Sequence, residues 1–325
     1  MIYISTPFVP YEAQCFLFVG KYNSLKAMIM KKFLICSSML LMGWLTASAI
    51  SPYLRVADVS GSMEAVVNEV NAVLVEGGYE VLGQYQPGNN PSLFVTVFSN
   101  KALQEFALKS ADRGMLAAAM KVGFQQKDGK ISVSLMNPEY LFYAYFGELM
   151  NDKDFSNKAL QISSEVKSSL MKVGTDMEPF GGEQKAEDLI KYRYMAGMPK
   201  FGKAVEVAEF ANFDQGVAAI RKGITASGST AKVYEILNES AEIALFGVGL
   251  MDEEKGEAHF LPIIGESHVA AMPYEIILQD NKVSLLHGRY RFALHWPELT
   301  MKTFTKIMSS PGDVEDAMKG LFETD

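Results

Sequence analysis

The chain has 325 residues, enough for two domains with separate cores, and 49% aliphatic and aromatic against 21% charged residues is the balance of an ordinary folded protein. Its net charge of −8 argues against sequence-independent binding to nucleic acid or to an anionic membrane surface, since both need a basic face.

The chain order opens on an export signal. Met30-Lys31-Lys32 is a basic start, Phe33 to Leu45 an apolar run, and Ala47-Ser48-Ala49 a small-x-small cleavage site ahead of Ile50. A membrane-spanning helix needs about 20 apolar residues, so this run reads as a cleaved signal over 30–49 and the processed chain as no integral membrane protein. Residues 1–29 read as an extension from an upstream start codon, with Met28 or Met30 as the true beginning. Cleavage removes four of the 30 basic side chains (Lys21, Lys26, Lys31, Lys32) and one of the 38 acidic ones (Glu12), moving the charge from −8 to −11. It also removes Cys15 and Cys36, leaving no thiol for a disulfide, a nucleophile or a metal, as suits an oxidising exterior such as the periplasm.

The first repeat is expected over 50–172. Tyr53 to Val59 alternates as a strand, and Ser62 caps a helix carrying Val66, Val67, Val70 and Leu74 up to Gly77-Gly78. Tyr79 to Tyr85 and Leu93 to Phe98 read as strands, Asn100 caps a short helix, and Met120 to Gln126 and Ile131 to Met136 form a hairpin about Asp128-Gly129. Asn137-Pro138 ends that strand, and Tyr140 to Met150 and Ser156 to Leu170 read as helices. The order implies an α+β fold, with helices packed on one face of a mostly antiparallel sheet.

Residues 173–203 carry five glycines, Pro179 and Pro199 as a linker, yet Leu189, Ile190, Tyr192, Tyr194 and Met195 predict that it packs along a domain. The second repeat, 204–325, repeats the first. Ala118-Ala119-Met120 recurs as Ala270-Ala271-Met272, Asp128 as Asp280, Lys130 as Lys282 and Ser132 as Ser284, at a constant offset of 152. Here Ala204 to Phe210 is the first strand, Asp214 takes the capping position, Ile243 to Leu250 is a strand, and an acidic loop, Asp252 to Glu257, replaces the short helix. Tyr274 to Gln279 and Lys282 to His287 form the hairpin, and Pro311-Gly312-Asp313 starts a closing helix.

The small-apolar run, Met272-Pro273, the edge strand and the Asp-containing turn resemble the domain-of-unknown-function family 302, with Lys121 standing in the first copy where the second has Pro273. The resemblance covers about 52–170 and 204–322. It implies a compact α+β domain that pairs with itself, hence a possible homodimer, and it transfers no functional residue.

All four histidines lie in the second repeat. If the strand from Lys282 continues through Gly288, His287, Arg289, Arg291 and His295 share one face, and with His268 they form a candidate site for a small anionic ligand. If Gly288 bends the strand, the same groups are solvated edge charges. A metal reading uses His259, His268 and His287 with Glu266, while Met195 and Met198 are soft ligands for copper(I) and a His–Met pair could hold haem. Gly265-Glu266-Ser267-His268 lacks the second glycine of a nucleophile elbow, and Gly247-Val248-Gly249 lacks the third of a dinucleotide loop. The expected function is therefore an exported, non-catalytic protein that binds a small molecule or an envelope protein through the second repeat. The alternative is a histidine-dependent enzyme or a metal- or haem-binding protein of the envelope.

Overall fold

The computed structural model describes residues 49–323, which form one compact unit. The extension and signal segment read from the sequence lie, apart from Ala49, outside the described residues.

The first repeat runs β1 (Ala49–Ile50), β2 (Tyr53–Val59), α1 (Met63–Glu76), β3 (Glu80–Tyr85), β4 (Leu93–Ser99), α2 (Lys101–Ala107), β5 (Met120–Lys127), β6 (Lys130–Met136), α3 (Pro138–Phe146) and α4 (Lys153–Leu170). The linker contributes β7 (Glu178–Phe180), β8 (Gln184–Lys185) and α5 (Ala186–Ile190). The second repeat follows as β9 (Val205–Glu209), α6 (Phe213–Ala226), β10 (Thr230–Asn238), β11 (Ile243–Leu250), α7 (Glu257–Ile264), β12 (Tyr274–Gln279), β13 (Lys282–Leu285), α8 (Gly288–His295), α9 (Met301–Phe304) and α10 (Ser310–Gly320).

Strands β1 and β8 pair in a small antiparallel ladder, and the two large sheets are also antiparallel and share one strand order. The first is β3-β4-β5-β6-β2, extended by β7 from the linker, and the second is β10-β11-β12-β13-β9. The fold is α+β, built from two tandem copies of one sheet-and-helix unit. Each hairpin turns where Asp128-Gly129 and Asp280 adopt positive φ, the conformation a tight reversal needs. In the first copy Val66, Val67, Val70 and Leu74 of α1 are buried, and α4 buries Ala159, Ile162, Val166 and Leu170. In the second, α6 presents Val217, Ile220 and Ile224, and α10 presents Val314 and Met318.

The repeats meet through a different set of residues. On β5 the odd-numbered positions face the second repeat. Lys121 pairs with Glu275, a Cβ on Gly123 would lie 2.6 Å from the Ala270 nitrogen, and Gln125 donates to Glu266 at 3.3 Å. A Cβ on Gly83 of β3 would fall 1.8 Å from the Val233 carbonyl oxygen of β10, so only glycine permits the two strands to approach this closely.

The structure corrects three expectations. Asn212 caps α6, accepting from the Gln215 amide at 2.9 Å, because its backbone is extended there; Asp214 sits inside the first turn, where its charge favours the helix dipole. The short helix of the second repeat is present as α7, beginning where the acidic loop ends, and buried Phe260, Leu261 and Ile264 hold it despite Pro262. Finally, the strand does not continue through Gly288. Residues 288–295 are helical, so the stripe of His287, Arg289, Arg291 and His295 on one strand face does not exist.

Candidate functional site

Helix α8 positions the residues singled out in the sequence, and its 3.6-residue period separates them. At its start a Cβ on Gly288 would lie 2.4 Å from the Pro311 carbonyl oxygen, so the helix can begin tight against α10. His287 is the capping residue, its Nδ1 lying 3.1 Å from Glu315 Oε1, which also accepts from the Gly288 amide at 2.9 Å. His287 is thus held in a surface cap.

One side of α8 enters the seam between the repeats. Arg291 is 2% exposed, and its Nη2 donates to the carbonyls of Ala271 (2.6 Å) and Pro273 (2.8 Å) and to Glu275 (3.2 Å). Its guanidinium carbon stands 3.7 Å from the centre of the Tyr274 ring. The other Glu275 oxygen takes Lys121 of the first repeat, so one carboxylate bridges two cations in a sealed interior. Burial works against the charge on both cations. It pulls Lys121 below the usual lysine range, with Glu275 opposing, whereas for Arg291 the attraction of Glu275 helps carry the guanidinium above its ordinary value.

His295 follows one turn later, fully buried, with Nε2 3.2 Å from the Tyr145 hydroxyl. Burial, then Arg291 and Lys121, hold its pKa well below the ordinary histidine value. His268, on the turn Glu266–Ala271, packs edge-on to Tyr53 at 4.8 Å and 5.9 Å from Trp296, and burial pushes it down to about 4. Its 3.4 Å contact with Glu298 is therefore made by a neutral imidazole at neutral pH. Neither ring exchanges a proton near neutrality, and His268, Arg291 and His295 are neither a ligand stripe nor solvated edge charges.

The end of α8 is closed by three tyrosines. The last carbonyls of a helix lack partners within it, and here Ala293, Leu294 and His295 accept from the hydroxyls of Tyr192 (2.6 Å), Tyr140 (2.8 Å) and Tyr53 (2.8 Å). Two of these donors belong to the first repeat and one to the linker. A second bridge lies at Glu257, fully buried, which accepts from Tyr85 Oη (3.0 Å) and the Gly88 amide (3.1 Å) of the first repeat and from the Leu250 amide (3.2 Å) of its own. Burial pushes its carboxyl up to about 7.

The opposite side of α8 forms the wall of a cleft of about 270 Å³. Arg289, Phe292, Ala293 and Trp296 supply that wall, Tyr194, Met195 and Met198 of the linker a second, and Leu299, Met301, Phe304 and Met308 the third. Met195, Met301 and Met308 are 47%, 55% and 64% exposed, which places them at the rim. Arg289 is the one charged side chain in the lining. No histidine lines the cleft, and among the described residues no three His, Cys, Asp or Glu side chains converge as a metal ion would require. His259, His268, His287 and Glu266 are accordingly not gathered into one centre.

Sequence reasoning missed Glu275, Glu257 and the role of Lys121. The available signal was a charge inside an apolar strand: Lys121 between Met120 and Val122, and Glu275 between Tyr274 and Ile276. Among the described residues no helix is long and apolar enough to cross a membrane.

No family model matches the chain, and neither does any curated protein. Among solved structures the chain is similar to the crystal structure of an uncharacterized conserved protein, of the domain-of-unknown-function family 302, from Bacillus stearothermophilus. The identity is 18%, with 37% of this chain and 97% of that one covered and a TM-score of 0.31.

Proposed function

We propose that the protein is an exported, non-catalytic binding protein that takes a small, largely apolar molecule in the cleft between α8, α9 and the linker. The observation that carries this reading is the cleft itself. It is a concave site walled by Phe292, Trp296, Leu299, Phe304 and four methionines, and apolar concavities with few polar groups are the usual form of small-molecule sites. Methionine side chains adapt to irregular guests, which suits recognition by shape and apolar surface. The absence of cysteine after residue 36 and the sequence of residues 30–49 support an exterior location.

A histidine-dependent activity has less support, because His268 and His295 are spent on buried aromatic and tyrosine partners and His287 on a helix cap. In a Trp44→Phe background Trp296 is the only tryptophan, and its emission reports on the cleft. A saturable change on adding the neutral probe N-phenyl-1-naphthylamine is expected, weakened by Met301→Asp at the exposed rim; no saturable change would remove the reading. N-terminal sequencing of protein recovered from outside the cytoplasm should begin at Ile50.

A further inference from the structure

Arg289 has no evident structural employment. A guanidinium in the first turn of a helix stands at the positive pole of the dipole, so α8 gains nothing in stability from a cation there. The carboxylate beside the start of this helix, Glu315, is taken by His287 and the Gly288 amide. Among the described residues Arg289 makes no ion pair and donates no side-chain hydrogen bond, and it is exposed at the cleft. Surface arginines are ordinary; one that is unpaired and the single charge in an apolar cavity is a specific arrangement, because it supplies a planar fork of donors beside a surface that otherwise offers only dispersion.

We infer that the cleft takes an anionic amphiphile, a molecule with one acyl-like chain and a carboxylate or comparable monoanionic head, with the chain against Phe292 and Trp296 and the head on Arg289. This rests on the reading of the cleft as a small-molecule site and adds the class of its ligand. At about 270 Å³ the cavity lies at or below the small end of the roughly 300–1,000 Å³ range of drug-sized sites, which suits a single chain and not a macrocycle. The free methionines at the rim, Met195, Met301 and Met308, can follow a flexible chain as it enters.

Calorimetric titration of the full chain at pH 7.5 with decanoate, 1-decanol and decyltrimethylammonium tests the head and the tail separately. Decanoate should bind about tenfold or more tightly than the alcohol, with the cation weakest. Arg289→Met should bring decanoate to the level of the alcohol, and Arg289→Lys should restore part of the difference. Because Arg289 is exposed and unpaired, both variants should keep the parent's circular dichroism spectrum. Equal affinity for acid and alcohol in the parent would overturn the assignment of the head and leave the apolar reading standing. Binding of none of the three would overturn both, as would a self-associated species in sedimentation that buries the cleft and that decanoate fails to dissociate.

Discussion

At the scale of single residues, the seam is governed by charges that have lost their water. Glu275 sits between Lys121 and Arg291, so Glu275→Gln leaves two cations facing each other in a sealed interior. Unpairing buried charge costs about 3–5 kcal/mol, and that is the loss expected for this variant in urea denaturation. Lys121→Met should cost less, because Arg291 still balances Glu275. The pH dependence has opposed contributors. His268, held near 4 in the fold against 6.5 when free, contributes stability that is present above pH 6.5 and is lost as pH falls towards 4. Buried His295, displaced in the same direction, acts likewise. Glu257, raised from 4.5 to about 7, contributes stability present below pH 4.5 and lost as pH rises through 7. Between pH 4.5 and 6.5 the slopes oppose, so His268→Phe should lower the slope of stability against pH by up to about 1.4 kcal/mol per unit. Glu257→Gln should raise it by a similar amount. Denaturation midpoints of parent and variants at pH 5 and 6.5 check the sign. These residues were hard to read from sequence because burial, the largest cause of each shift, comes from tertiary partners distant in the chain, such as Tyr53 on His268, Tyr145 on His295 and Tyr85 on Glu257.

At the scale of elements, α8 is the piece that the rest of the second repeat and much of the first are fitted around. Its last three carbonyls are satisfied from outside by Tyr53, Tyr140 and Tyr192. Tyr53→Phe and Tyr140→Phe each strand a buried carbonyl and should cost about 1–3 kcal/mol, with Tyr192→Phe, whose partner is half-buried, costing less. Hydrogen exchange should localise the effect, with α8 amides losing protection in all three variants while those of α1 do not. The helix was nonetheless legible in principle. Pro138–Phe146 follows the first hairpin, and an offset of 152 carries that helix onto 290–298, close to where α8 lies. The alternation of His287, Arg289 and Arg291 imitated a strand face and hid it. Helix α7 was missed for another reason, since Pro262 and Gly256 both read as breakers while the burial of Phe260 and Leu261 that offsets them is tertiary. Where only local chemistry was involved, as at Ser62, Asn100 and the Asp128-Gly129 turn, the sequence was sufficient.

At the scale of the whole molecule, the duplication read from Ala118-Ala119-Met120 and Ala270-Ala271-Met272 reappears as two sheets with one strand order. The cleft was not legible, because one wall comes from the linker at 194–198 and the others from Arg289 to Met308, about ninety residues later. The seam leaves no room at Gly123, so Gly123→Val should press on the Ala270 backbone and destabilise the molecule by about 1–3 kcal/mol or more. It should do so in one cooperative transition with coincident fluorescence and circular dichroism curves. Glu275 stands 152 positions after Gly123, and Pro273 the same distance after Lys121. A pair of identical modules related by a twofold axis must present every side chain twice. Here the lysine belongs to one half only and the carboxylate to the other, so the join has a polarity. Two first halves drawn from different chains would set a lysine opposite a glycine, and two second halves would leave carboxylates without Lys121. The covalent tether thus comes with its own lock and key, by which each half recognises its unlike neighbour and turns away a copy of itself.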